Sequence, residues 1–167
     1  RKFDQRVAYF YKERFRKQFS SVGSKAVLCL GARDGAEVAA LRKYGVLAIG
    51  IDIEYPVNNP YVHYGDFHDL PFPNHSFDYV YTNCFDHVFE PEKVLCEIRR
   101  VLKLETGRFV LDLVDGDEDG SRDPGNSLCG TFEAFAWKKR QQVVALIEKN
   151  NFSLEEENTL KDCYTQY

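Results

Sequence analysis

The chain has 167 residues, 44% of them hydrophobic and 29% charged, with a net charge of −4. This is enough length and apolar content for one domain with its own core, and the charge makes no overall electrostatic case for nucleic acid. No apolar run approaches the about 18 residues that a membrane span requires. The chain opens on Arg1 and contains no methionine, so it is expected to be a segment of a longer protein, and any upstream signal or anchor lies outside it.

The first 19 residues carry Phe3, Val7, Phe10, Tyr11, Phe15 and Phe19 at mostly three- and four-residue steps, the spacing of an amphipathic helix. Its other face is basic, with Arg1, Lys2, Arg6, Lys12, Arg14, Arg16 and Lys17 against Asp4 and Glu13. Such a helix either docks its aromatic stripe on a core and leaves its charges solvated, or meets a membrane surface or an RNA. Residues 20–24 read as a polar linker, so the chain is expected to divide into a helix and linker (1–24) and a folded unit (25–167).

Residues 25–30 form an apolar run rich in Val and Leu, the pattern of a buried strand. The turn Gly31-Ala32-Arg33-Asp34-Gly35 follows, then helical spacing through Val38, Leu41 and Tyr44 up to Gly45. A second apolar strand, 46–51, ends on Asp52. Strand, glycine turn, helix, strand and an acid about 20 residues past the first glycine make a nucleotide-binding βαβ unit. Glycines admit a ligand close to the backbone, the helix start offers free N–H groups, and the acid accepts ribose hydroxyls. The dinucleotide fingerprint G-x-G-x-x-G fails at its middle position, Arg33.

Beyond Asp52 come a Pro- and Asn-rich loop (55–60), a short strand (61–64) and a loop through Pro71 and Pro73 that cannot continue a sheet. A buried strand at 77–81 ends at Thr82-Asn83. Pro91 opens a helix expected to reach about residue 104, and an apolar strand follows at 108–114. Residues 115–128 read as an acidic loop and 131–149 as a helix. Two alternating segments, 152–156 and 163–167, read as an antiparallel hairpin. The expected fold is α/β, a doubly wound, mostly parallel seven-stranded sheet with that C-terminal hairpin.

Cys29, Cys84, Cys96, Cys129 and Cys163 are scattered, odd in number and form no C-x-x-C pair. They are expected to be buried reduced thiols in a reducing, cytoplasmic compartment. The four histidines show no metal-ligand spacing, and no metal is expected. The run Asp115-Gly116-Asp117-Glu118-Asp119-Gly120 begins like a calcium loop but has Asn126 where a bidentate Glu is needed. It is read as a solvated loop over the substrate side.

Taken in order, Leu30-Gly31-Ala32-Arg33-Asp34-Gly35, Gly50-Ile51-Asp52-Ile53, Gly65-Asp66-Phe67-His68-Asp69-Leu70-Pro71-Phe72, Ser76-Phe77-Asp78-Tyr79-Val80 and Glu97-Ile98-Arg99-Arg100-Val101-Leu102-Lys103 resemble the landmarks of class I S-adenosylmethionine-dependent methyltransferases, in particular their small-molecule branch. The resemblance covers about residues 27–114. It implies S-adenosyl-L-methionine as cofactor, with S-adenosylhomocysteine as product and an unidentified small-molecule acceptor. It further implies that Gly31, Ala32, Arg33 and Gly35 lie under the methionine part of the cofactor and that Asp52 binds both ribose hydroxyls. Ile53 would pack on the adenine, Asp66 would accept from the adenine amino group with Phe67 beside the ring, and Asn83 would approach the methionine or ribose.

Methyl transfer is chiefly a matter of alignment, and an oxygen or nitrogen nucleophile can also need a base. Asp86 and His87, just past Asn83, are the candidates, with His68 a lesser one. Against these stand the readings of His87 as a packing residue and His68 as a loop residue near Phe72. The chain departs from the family pattern at Cys29, where the family carries an acid, and at Arg33, where it carries a second glycine. Residues 103–107 replace a Pro-Gly-Gly turn. Cys29 and Arg33 also fit an alternative, a methyltransferase-like binding or scaffold protein without turnover.

Overall fold

Five short strands form one parallel sheet. In the computed structural model, which describes residues 2–19, 23–113 and 134–158, these are β1 (Ala26–Leu30), β2 (Leu47–Asp52), β3 (Val62–Tyr64), β4 (Tyr79–Thr82) and β5 (Arg108–Leu111), in the order β3-β2-β1-β4-β5. The chain builds outward from β1 to β3, then returns to the other side of β1 for β4 and β5, so the strand order reverses between β1 and β4. Open α/β sheets bind ligands at such a reversal, outside the carboxyl ends of the strands. The register fixes what lies there. Leu30 pairs with Ile51 on one side and Thr82 on the other, so the next residues, Gly31, Asp52 and Asn83, stand abreast.

Period-two alternation on β1 divides the core. Val27 and Cys29 pack with Val38, Ala40 and Leu41 of helix α3 (Ala36–Arg42), whereas Leu28 and Leu30 pack with Val94, Leu95 and Ile98 of α4 (Pro91–Val101) and Val143 of α5 (Arg140–Lys149). Both faces of the sheet are therefore covered, as a parallel sheet demands. Among the described residues no helix is long and apolar enough to cross a membrane.

The N-terminal segment is two helices, α1 (Lys2–Tyr9) and α2 (Arg16–Phe19), joined by a π turn at Phe10–Arg14. The buried residues Val7, Phe10, Phe15 and Phe19 step by three, five and four. A regular helix would rotate the five-residue step off the core, and the π turn, with the Phe15 N–H bonded to the Phe10 carbonyl at 2.8 Å, keeps it facing inward. Phe15 stacks on Phe10 and meets Phe19 and Tyr81 edge-on. The stripe thus docks on the sheet, but its charges are not all solvated: Arg6 bonds Asp34, and Arg14 bonds Asp112 just past β5.

Several expected boundaries move. The described residues form five strands, not seven, all parallel. Residues 152–156 form no strand. Phe152 packs on Phe109, while Glu155 and Glu156 are exposed and ion-paired with Arg108 and Lys17, so the segment has no continuous apolar face. The second hairpin segment, 163–167, the loop at 115–128 with its calcium-like run, and Cys129 and Cys163 lie outside the described residues. Helix α5 starts at Arg140, not near 131. The Ala134 and Phe135 N–H groups donate instead to the Asp86 carbonyl, which holds that stretch out of helix. Helix α4 stops at Val101, because Leu102 turns extended and bridges to Phe77. Strand β5 ends at Leu111. Of the described thiols Cys29 is buried, Cys84 half-buried and Cys96 exposed on α4, so burial does not hold for Cys96; all three are unpaired.

Asp78, 5% exposed, ties the amino-terminal ends of β1 and β4. It accepts the Ala26 N–H at 3.0 Å and Lys103 Nζ at 2.9 Å, and Lys25 Nζ lies at 3.4 Å. Burial alone would raise its pKa; these donors outweigh burial and hold it below the ordinary carboxylate range. Such a group adds stability above its unfolded pKa of about 3.9 and loses it as pH falls through the lower folded value. Asp78→Asn should therefore cost about 1–3 kcal/mol in urea denaturation at pH 7 and should flatten the acid side of the stability curve. Phe15→Ala should cost about 3–5 kcal/mol, as for any buried core phenylalanine. A loss under about 0.5 kcal/mol, the size expected at an uncoupled surface position, would mean that the N-terminal segment is not part of the core.

Candidate functional site

The turn after β1 is forced into shape by its neighbours. Gly31, Arg33 and Gly35 all have positive φ, +69°, +49° and +83°. At Gly31 a Cβ would stand 2.1 Å from Cys84 Sγ, and at Gly35 it would stand 2.4 Å from Asn59 Nδ2; neither position has room for a side chain. Arg33 pays the left-handed penalty without being glycine, about 1–2 kcal/mol, and its side chain is exposed. The Gly31 and Ala32 N–H groups both donate to the Ile51 carbonyl, and the Arg33 N–H donates to Asp52 Oδ2 at 2.8 Å. Asp52 Oδ1 accepts the Glu54 N–H. The glycine turn and the strand-end acid are thus one hydrogen-bonded unit.

The other expected residues fall around that unit. Ala32 is buried and offers only backbone to the turn. Ile53, beside Asp52, is 64% exposed. The Phe67 ring reaches within 3.2 Å of the position a Gly31 Cβ would take. Asp66 Oδ1 accepts both the His68 N–H and His68 Nδ1, the latter at 2.7 Å. Burial would raise the Asp66 pKa, but these bonds prevail and lower it. His68 Nε2 takes the Glu90 N–H at 3.1 Å, so both ring nitrogens are engaged and the imidazole is a loop brace. Its aromatic neighbour is Phe89, with ring centroids 6.3 Å apart.

Asp86 and His87 lie on a 3-10 turn, Phe85–His87, past the end of β4. His87 is exposed, and its Nε2 stands 3.7 Å from Asp86 Oδ1, an ion-pair separation longer than a hydrogen bond. The nearby Cys84 thiol is no nucleophile. Burial pushes it up to about 12, helped by Asp86, Asp52 and Glu37 and opposed by its bond with Thr82.

Sequence reading missed two acids. Asp34, in the turn, accepts Arg6 Nη1 with both carboxylate oxygens, at 2.9 and 2.8 Å. Glu37, on α3, is 2% exposed, and its Oε1 lies 3.3 Å from Arg6 Nη2. The Asn83 side chain bonds the same carboxylate, while Oε2 is buried with no hydrogen-bond partner among the described residues. The signal was present: Glu37 lies three and four residues before Ala40 and Leu41, on the face that the helix buries. Burial pushes its pKa up to about 7, with Asp34 adding to the rise and Arg6, Asn83 and its own backbone N–H opposing. Cys29 beneath it stays a neutral thiol, raised by burial and by Glu37.

An acid whose folded pKa exceeds its unfolded value of about 4.3 keeps its proton in the fold after the unfolded chain has lost it. Stability therefore falls as pH rises from there to about 7 and levels off above. Glu37→Gln should raise the melting temperature more at pH 8 than at pH 5. A gap that stays constant between the two would contradict the burial of an uncompensated acid.

Comparison with known proteins accords with this geometry. The methyltransferase domain family matches residues 28–111, half of the chain. No curated protein matches in sequence. Among solved structures, a chain from the Haloferax volcanii complex between the Trm112 methyltransferase activator and a methyltransferase superposes with a TM-score of 0.70 at 19% identity, covering 97% of this chain and 82% of that one. An S-adenosylmethionine-dependent methyltransferase from Thermotoga maritima gives 0.62 at 18% identity, covering 90% and 77%, and one from Aquifex aeolicus gives 0.65 at 17%, covering 93% and 89%. At these identities the structures establish the fold. With the family match over the glycine turn, Asp52 and the sheet that carries them, the chain belongs to the class I methyltransferase domain family, whose cofactor is S-adenosylmethionine.

Proposed function

We propose that the chain is an active methyltransferase that moves a methyl group from S-adenosylmethionine to a small-molecule acceptor, in the cytoplasm, with residues 25–167 as the transferase unit and 1–24 docked on it. The observation that carries this reading is the 2.8 Å bond between the Arg33 N–H and Asp52, which holds the glycine turn against the strand-end acid at the reversal of strand order. The residues fit the cofactor. Asp52 offers a carboxylate for the ribose diol, the exposed Ile53 offers an apolar face for the adenine, and Asp66 Oδ2 makes no hydrogen bond among the described residues, so it can take the adenine amino group. Phe67 stands beside that ring. Gly31, Ala32, Arg33 and Gly35 pass under the methionine portion, and Asn83 closes its far side.

When bound, S-adenosylmethionine supplies a methyl group on a sulfonium, which an acceptor's electron pair takes as S-adenosylhomocysteine leaves. The chain's own part is alignment and, for a protonated nucleophile, removal of one proton by His87 with Asp86 beside it. The alternative reading, a binding protein without turnover, rests on Cys29 and Arg33. Cofactor binding without transfer to any acceptor, or no cofactor binding at all, would favour it.

The first test is binding rather than turnover, because the Haloferax neighbour is held in a complex with an activator and binding does not depend on the acceptor. Calorimetric titration should give micromolar affinity for S-adenosylhomocysteine, reduced at least about tenfold in Asp52→Ala, the loss of one charge-assisted bond or more. Asp52→Asn, which keeps one acceptor oxygen for the Arg33 N–H, should lose less. Unchanged affinity in Asp52→Ala, or no binding at millimolar ligand, would remove the assignment.

A further inference from the structure

The buried Oε2 of Glu37 has no hydrogen-bond partner among the described residues. A carboxylate oxygen shut away from water costs free energy until a donor reaches it. Its neighbours on α3 do not supply one: Ala36, Val38, Ala40 and Leu41 are buried and apolar. Arg6 engages the other oxygen, and the same guanidinium is drawn to Asp34 by two shorter bonds. The remaining groups around the carboxylate are Asn83, Cys29, Cys84 and Tyr81. Cys29 and Tyr81 are buried and uncharged, and the half-buried Cys84 keeps its proton. Among the described residues no cation matches the second oxygen.

The placement says which donor is missing. Asn83 stands abreast of Gly31 and Asp52 at the carboxyl edge of the sheet, and it bonds Glu37. Glu37 therefore meets the crevice between the glycine turn and the end of β4. Arg33, on the same turn, puts an exposed guanidinium a few residues from this acid. A buried carboxylate oxygen with an open acceptor beside such a crevice suits an ammonium group, and an exposed guanidinium on the same turn is within the chemistry that a zwitterionic α-amino-acid head would use for its carboxylate.

We propose that Glu37 receives the ammonium group of the cofactor's amino-acid portion, supplying from helix α3 the carboxylate that β1, with Cys29, does not provide. The assignment rests on the methyltransferase reading above. It accounts for an acid kept at a position where an apolar residue would stabilise the fold, a trade of stability for binding. It also makes the proton on Glu37 responsive: an arriving ammonium favours the charged form, so the ligand displaces the proton that burial retains near neutral pH.

Two probes separate this role from a structural one. S-adenosylhomocysteine carries the ammonium, and 5′-methylthioadenosine shares its nucleoside and thioether but has no amino-acid head. Each is titrated calorimetrically into wild type and Glu37→Gln at pH 6.5, in two buffers of different ionisation enthalpy. Glu37→Gln should bind S-adenosylhomocysteine about 10- to 100-fold more weakly and 5′-methylthioadenosine within about twofold of wild type. Wild type should release a proton on binding S-adenosylhomocysteine and none on binding 5′-methylthioadenosine, and the variant should release none with either. Equal affinity of variant and wild type for S-adenosylhomocysteine, or equal losses for both probes, would overturn the assignment and leave the methyltransferase reading standing. Failure of wild type to bind either probe would overturn that reading and this one with it.

Discussion

One hydrogen bond, from the backbone N–H of Arg33 to the carboxylate of Asp52, governs the geometry of the crevice. It joins the turn after β1 to the end of β2, and it can form only because the backbone at Gly31, Arg33 and Gly35 takes left-handed φ values. The packing beneath depends on the same turn. Cys84 comes over Gly31, and Asn59 comes over Gly35 to bond the Asp34 carbonyl. A side chain at either glycine would push away the strand end or loop that forms the opposite wall. The sheet register then places Asn83 level with Asp52, so positioning falls to backbone geometry more than to side-chain packing.

The N-terminal segment is bound to this unit by charge as well as by its aromatic stripe. Arg6 reaches the turn through Asp34 and the helix behind it through Glu37, while Arg14 holds Asp112 beside Tyr81. These acids are partly or wholly buried, and removing the partner of a buried charge costs more than the pair itself contributes. Residues 2–19 therefore shape the electrostatics of the crevice through Arg6 and Arg14.

Much of this was legible in the sequence because it repeats at short range. The apolar runs of β1, β2 and β4, the glycine turn and the face of α4 follow from spacing within about ten residues, where periodicity is informative, and Asp52 follows from its place at the end of the next strand, about 20 residues past the first glycine. What was not legible depends on distant partners. Helix α5 starts late because Ala134 and Phe135 bond the Asp86 carbonyl, almost fifty residues upstream. Residues 152–156 alternate like a strand, but Arg108 and Lys17 draw two of their acids outward. Spacing puts Glu37 on the face of α3 that carries Ala40 and Leu41, but it does not show that Arg6 of α1 reaches that acid from far along the chain. The roles given to Asp66 and Asn83 come from family resemblance, and those given to Asp86 and His87 from their place just past Asn83.

The π turn at Phe10–Arg14 has a consequence for how this segment tolerates change over evolutionary time. Five residues separate Phe10 from Phe15, and the two rings still stack. In a regular helix two rings on one face stand four positions apart, one fewer than here. Loss of a single residue within the turn would convert it to ordinary helix and leave both flanks in phase with the sheet. Elsewhere in a helix the same deletion would rotate everything beyond it by about 100°. The joint between α1 and α2 is thus a place where the chain length can drift by one without re-facing the aromatic stripe, and relatives of differing length are expected to differ there first.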